Sequence, residues 1–210
     1  MRKVVDGEIR NRKRTEEKLI NAVGDLIKEE GYSGLNMRKV VKLAGVDKKL
    51  IYRYFGNFDG LISRYFRERD FWTRHNERVF ENINTIFNDH GKNIASSSLI
   101  NLFEYLQHQE DTRKILLWEI SESNDNFKKL SLERELLGKE LFQRTDYFFE
   151  NSEVDLRACY SILLAGVYYL SLHSNSTGGN FCEIDISKSD GSKRIKKAIQ
   201  NIIDLLYNEV

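Results

Sequence analysis

The chain has 210 residues, with no proline, two cysteines and a formal net charge of +1. That length suits one large domain or a small domain joined to a larger one, and two cysteines without zinc spacing exclude a disulfide framework or a zinc finger. The missing proline, the abundance of Leu, Ile, Lys, Glu and Asn and the scarcity of alternating β-branched runs argue against a β fold and for an all-α protein, and no apolar run reaches the ~18–20 residues that span a bilayer.

The first residues, MRKVVDGEIRNRKRTEE, are charged and lack the apolar stretch of a signal peptide, so a soluble cytoplasmic protein with reduced Cys159 and Cys182 is expected. The small net charge hides an asymmetry. Residues 1–69 carry 17 Lys and Arg against 10 Asp and Glu, whereas residues 70–210 carry 16 against 22. A basic module joined to an acidic one points to a polyanion facing the first module only.

In chain order, residues 1–14 hold six basic side chains and few apolar anchors and read as a mobile basic arm, with structure beginning near Thr15. Leu19, Val23, Leu26 and Ile27 then share one helical face, and Gly31 follows as a left-handed cap. Asn36 caps a short helix through Leu43. Ala44-Gly45-Val46 breaks it, with Gly45 supplying the positive φ of a sharp helix-to-helix turn. Asp47 caps a third helix from Lys48 to about Tyr54, and a fourth opens near Asn57 and runs toward Trp72. Further helices are predicted around 77–89, 92–109, 112–122, 126–150, 154–173 and 192–208, and the polar stretch SNSTGGNFCEIDISKSDG reads as a long loop, partly disordered or folded as a flap.

At 100° per residue, Lys48, Lys49 and Tyr52 fall on one side of the third helix and Leu50, Ile51 and Tyr54 largely on the other. A cationic, aromatic front on the second helix of a helix-turn-helix suits a DNA major groove, where ammonium groups reach phosphates or guanine edges and tyrosine packs on sugar or a thymine methyl. A plain surface-charged connector would show the same turn, so the wheel alone does not decide.

The string Ala44-Gly45-Val46-Asp47-Lys48-Lys49-Leu50-Ile51-Tyr52-Arg53-Tyr54-Phe55 closely resembles the recognition segment of TetR-family transcriptional regulators. The likeness covers about residues 15–65, including the Gly31-Tyr32 to Met37-Arg38 junction upstream and Asn57 and Leu61 downstream. It departs at Asp47, where the family usually has Ser; at Lys49, where a small residue is common; at Leu50, in place of a frequent Thr; and at Phe58, where a phosphate-touching lysine is usual. The resemblance implies an N-terminal three-helix DNA-binding head followed by a larger helical ligand-binding and dimerisation body, about nine helices in total. The implied division is a basic arm at 1–14, a head at 15–60 and a body at 61–210. The expected DNA-contacting set is Asn36, Arg38, Lys48, Lys49, Tyr52, Arg53, Tyr54 and Asn57.

The body carries no family motif. Trp72, His75, Phe103, Trp118, Phe142 and Tyr160 sit on helices that, by the resemblance, surround an effector pocket, with His108 and His173 as further polar candidates. The run VDLRACYSILLAGVYYLSLHS is apolar almost all round and the last helix carries an isoleucine stripe, so Leu163, Ala165, Gly166, Tyr169, Ile199, Ile202 and Leu206 are the expected homodimer face; an intrachain core is the alternative. The resemblance implies a ligand-responsive regulator, by default a repressor, that binds a palindromic operator as a homodimer and releases it when an unknown small molecule binds. No cofactor, metal or membrane partner is called for. Motifs for a di-iron bundle, a zincin, a nucleophile elbow or a phosphate-binding loop are missing from the sequence, which argues against an enzyme. A helical adaptor whose basic head binds an acidic protein or a membrane surface is the competing expectation.

Overall fold

The computed structural model describes residues 5–74, 89–178 and 180–210; His75 and, but for Asp89 at its end, the helix expected at 77–89 lie outside them. The chain divides into two compact units, Met1–Asp70 with Glu122–Leu130, and Phe71–Ser121 with Ser131–Val210. Among the described residues both are helical, with one isolated β-bridge.

The first unit holds α1 (Val5–Glu30), a 3-10 turn at Tyr32–Gly34, α2 (Met37–Ala44), α3 (Lys49–Phe55) and α4 (Phe58–Arg69). Leu19, Val23, Leu26 and Ile27 of α1 are buried with Val40 of α2, Ile51 of α3 and Leu61, Tyr65 and Phe66 of α4. Each such side chain contributes roughly 1.5–3 kcal/mol over its exposed state, which is what holds helices as short as α2 and α3 that would not form alone. Two features differ from the sequence expectation. The residues read as a mobile arm continue α1 back to Val5, and α4 stops at Arg69 because Asp70 turns extended (φ −74°, ψ 138°) with its side chain buried.

The segment Glu122–Leu130 joins this unit from far along the chain. Phe127, 3 % exposed, stacks on Phe66 at 5.0 Å and lies 5.2 Å from the Tyr32 ring. The Ser63 hydroxyl donates to Asn126 Oδ1 at 2.7 Å.

The second unit is built from α5 (Lys92–His108), α6 (Glu110–Ser121), the remainder of α7 (Asp125–Phe149), α8 (Leu156–Ser176) and α9 (Ser189–Asn208). Leu99, Leu102, Phe103 and Leu106 of α5 pack with Tyr160 and Val167 of α8 and Ile199, Ile203 and Tyr207 of α9. Salt bridges Lys92–Asp204 (2.8 Å) and Lys196–Glu104 (2.5 Å) tie α5 and α9 in antiparallel sense. The expected long loop is shorter than read: α8 runs on to Ser176 and α9 starts at Ser189. Between them Phe181 and Ile184 pair through both backbone hydrogen bonds (3.1 and 3.0 Å) around Cys182 and Glu183, both left-handed, the geometry of a type I′ turn.

Candidate nucleic-acid interface

Three short polar side chains set the geometry of the head. Asn36 Oδ1 accepts the Lys39 N–H at 3.0 Å and starts α2; Asp47 Oδ1 accepts the Lys49 N–H at 2.7 Å and starts α3; Asn57 Oδ1 accepts the Gly60 N–H at 2.7 Å and starts α4. Between α2 and α3, Gly45 adopts φ 64°, ψ 39° and its N–H returns to the Val41 carbonyl, the left-handed cap that swings the chain from one helix into the next. The Asp47 that replaces the family's usual Ser keeps the cap.

This frame turns α3 so that Ile51 is fully buried, Leu50 and Tyr54 are half-buried, and Lys48, Lys49, Tyr52 and Arg53 are exposed, Tyr52 by 53 %. Arg38 and Lys42 of α2 are exposed too. Two other cations of the head are matched, Lys39 by Glu30 and Arg64 by Glu68 (2.7 Å). Among the described residues none of Arg38, Lys42, Lys48, Lys49 or Arg53 takes part in a salt bridge. A run of uncompensated cations around an exposed tyrosine is chemistry for phosphate and base edges. Asn36 and Asn57 spend their carbonyl oxygens on caps, which leaves their amide groups as donors. Tyr54 is covered by the Arg12 guanidinium, 5.2 Å from the ring centroid. Sequence reading missed Arg12; the spacing Ile9, Arg12, Glu16, Leu19 on one helical face was the available signal.

The Tyr32 hydroxyl, hydrogen-bonded to the Asn126 side chain, has its pKa raised, chiefly by burial. It ties the start of the head's 3-10 turn to the inserted segment.

Two cavities lie in the second unit. One, of about 670 Å³, is lined by Trp72, Leu137, Leu141, Phe142, Tyr160 and Leu164 with Arg134 and Arg157. Trp72 Nε1 donates to the Tyr168 hydroxyl at 2.9 Å, and the buried Tyr160 hydroxyl pairs with that of Ser98 at 2.8 Å. Burial pushes the Tyr160 pKa up, so it stays neutral. Arg157 is held by both oxygens of Asp146 (3.0 and 2.6 Å) and lies over the Phe142 ring at 5.0 Å. The other cavity is a polar groove of about 1080 Å³ bordered by Asn93, Ser97 and Asn101 of α5 and by Ser189, Ser192 and Lys196 of α9. Of the residues expected around a pocket, Trp72, Phe142 and Tyr160 line the first cavity. Phe103 is a correction: it is fully buried in the core and lines neither, because its face of α5 packs against the body core. Trp118 is half-buried on α6 outside both linings, and His108 borders the polar groove.

Residues 19–65 match the sequence profile of the bacterial regulatory proteins of the tetR family. That match covers the head alone, which is similar to the heads of tetR-family proteins. No curated protein matches the chain. Among solved structures, the chain is similar to the transcriptional regulator FadR from Bacillus subtilis in complex with stearoyl-CoA, at 16 % identity and TM-score 0.64 over 92 % of this chain and 98 % of that one. It is also similar to the fatty acid degradation regulator FadR from Bacillus halodurans, at 20 % identity and TM-score 0.58 over 92 % and 94 %. At these identities the likeness is one of fold, and it spans head and body alike. Among the described residues no helix is long and apolar enough to cross a membrane and no cluster of His, Cys, Asp or Glu could hold a metal.

In the second unit, α8 and α9 each carry large apolar side chains that the described residues leave exposed: Ile162 by 73 %, Tyr169 by 54 %, Ile202 by 41 % and Leu205 by 61 %. Ala165 is exposed and Gly166 half-buried on the same side, and a Cβ built on Gly166 would meet nothing within 4 Å. Leu163 and Leu206 are half-buried against the core. Ile199 is a correction, since it is 4 % exposed and belongs to the intrachain core; Ile162 and Leu205 take its place on the outer face.

Proposed function

We propose that this protein is a ligand-responsive repressor that binds a two-fold operator as a homodimer and leaves it when a small molecule occupies the 670 Å³ cavity. The observation that carries the reading is the set of exposed cations, Arg38, Lys42, Lys48, Lys49 and Arg53, without a salt bridge among the described residues, on a helix-turn-helix that also exposes Tyr52. A reader as short as α3 covers few base pairs, so specificity requires a two-fold pair with half-sites about one helical turn apart. The exposed apolar side chains of α8 and α9 would supply the surface for that pair, because four large side chains left bare are costly in a monomer.

The cavity wall suits an apolar effector: Trp72, Leu137, Leu141, Phe142 and Leu164 offer the surface, while Arg134 and Arg157 are already engaged by Glu119 and Asp146. Stearoyl-CoA, bound by the B. subtilis FadR of like fold, belongs to that chemical class and is the first probe to try. Ligand acts by differential affinity for two states of the protein.

The test is selection of retained duplexes from a randomised pool, followed by competition with stearoyl-CoA. Recovery of a palindrome released by the acyl thioester supports the whole reading. A palindrome unaffected by it removes the acyl class and keeps the operator reader, and retention of no duplex returns the head to the adaptor that binds acidic protein or membrane.

A further inference from the structure

Both cavities belong to the second unit, and one side chain lines the two of them, Ser98 of α5. Ser98 is 5 % exposed, and its hydroxyl meets that of the equally buried Tyr160 at 2.8 Å. Tyr160 lines the 670 Å³ cavity and not the polar groove. The consecutive residues Phe71 and Trp72 divide in a similar way: Phe71 borders the groove and Trp72 the cavity, with their rings edge to face at 5.1 Å. At Ser98 the partition between the two spaces is a single small side chain.

The spaces differ in what they offer. In the cavity, Leu137, Leu141, Phe142 and Leu164 form an apolar wall. In the groove, the side chains of Asn93, Asn101 and Ser192 make no hydrogen bond among the described residues, while Lys196 is paired with Glu104. Unspent amides and a hydroxyl beside a compensated charge suit a ligand that hydrogen-bonds through hydroxyl or amide groups. The Ser98–Tyr160 pair satisfies both hydroxyls while the partition is closed. A ligand oxygen lying beside Ser98 can take over that pairing, so opening the partition leaves neither hydroxyl buried without a partner. Burial keeps Tyr160 protonated and able to donate.

We propose that the cavity and the groove are two halves of one effector site, which takes an amphipathic molecule with its aliphatic chain in the cavity, its hydroxyl- or amide-bearing head in the groove and its linking atoms beside Ser98. The inference rests on the effector reading above and deepens it by naming the class of ligand. The cavity selects the chain and the groove selects the head. A purely apolar molecule fills one half and leaves the groove to water, and a purely polar one leaves the apolar wall without a partner.

Calorimetric titration of the full chain tests this with octyl glucoside below its micelle concentration and with the two halves of that probe, 1-octanol and glucose. Joining two fragments that bind adjacent spaces makes the second contact intramolecular, so octyl glucoside is expected to bind once per chain and at least about tenfold more tightly than octanol. Asn101→Ala combined with Ser192→Ala, at two accessible positions of the groove, is expected to bring octyl glucoside down to the affinity of octanol and to leave octanol unchanged. These groove variants carry the test because Ser98→Ala would also unpair the buried Tyr160 hydroxyl. Octyl glucoside that binds no tighter than octanol, or that ignores the double variant, overturns the two-part site, and saturable octanol binding then keeps the apolar effector reading. A chain that binds neither octanol nor octyl glucoside at a saturable site overturns both.

Discussion

Phe127 stacks on Phe66 with ring centroids 5.0 Å apart and planes 13° from parallel, although 61 residues of chain separate them. With Asn126 accepting from Ser63 one position earlier, the pair makes the first turn of α7 a piece of the head. Truncating a buried phenylalanine costs ~3–5 kcal/mol, so Phe127→Ala is expected to lower head stability by that order. Urea unfolding followed by circular dichroism, compared with Phe58→Ala at a half-buried site, measures it; equal small losses for both would show that the stack contributes little.

This pairing also marks the boundary of what the sequence made legible. The helix-turn-helix was readable because its determinants are local: Asn36, Gly45, Asp47 and Asn57 each act on a neighbour within a few positions, and the 3.6-residue period placed Ile51 inside and Tyr52 outside. Phe127 gave no such signal, since its partner is far along the chain. Phe103 and Ile199 failed for a related reason. Both lie on strongly apolar helices where periodicity marks several faces at once, and only packing tells which face is core, cavity or exposed. The extension of α1 to Val5 was hidden by composition, because charged residues read as an arm until Arg12 is seen over Tyr54.

Lys48→Ala and Tyr52→Ala should weaken duplex binding and leave folding nearly untouched, because both side chains are exposed and surface substitutions usually stay within about 0.5 kcal/mol of stability. The two differ in kind. Removing the ammonium should flatten the salt slope by up to about 0.9, whereas removing the ring should lower affinity at every salt concentration with little change in slope. A Tyr52→Ala protein that melts several degrees lower would make that ring part of the fold.

Two glycines of the head separate backbone strain from contact. Gly45 is left-handed, and a Cβ there meets nothing within 4 Å, so Gly45→Ala costs only the ~1–2 kcal/mol of an L-residue in that conformation. At Gly60 a Cβ would stand 2.1 Å from the Phe55 carbonyl oxygen, which is backbone and cannot rotate away. Gly60→Ala is therefore expected to destabilise the head more than Gly45→Ala. Both gain the same ~0.4–1 kcal/mol through the stiffer unfolded chain, so the difference between their urea midpoints isolates the contact. The reverse order would mean that α3 and α4 readily shift apart.

Tyr32 gives the head an alkaline limit. Burial raises its folded pKa above the ordinary value of 10.0, and the hydrogen bond to Asn126 offsets part of that rise. A raised pKa means that the neutral hydroxyl is favoured in the folded state. Its contribution is present below about pH 10 and is lost as pH climbs through the folded value. The urea midpoint should fall as pH rises above about 10 in wild type and fall less in Tyr32→Phe, whose midpoint at neutral pH is lower because Asn126 loses a partner. Parallel pH curves for the two proteins would remove Tyr32 as the cause.

Ile162 offers the sharpest test of the dimer. Being 73 % exposed on α8, it contributes little to the monomer's fold, yet it stands on the same helical face as Tyr169, seven positions on. Ile162→Asp places a charge where a two-fold interface would bring two of them together and desolvate both, a cost of several kcal/mol for the pair. Sedimentation should give a dimer for wild type and a monomer for the variant, with far-UV circular dichroism unchanged. The melting temperature of wild type should rise with protein concentration while that of the variant stays flat. On a palindromic duplex the variant should lose most of its affinity, because each head then binds its half-site alone. A variant that stays dimeric would place the interface elsewhere and leave the α8 and α9 face without its proposed occupant.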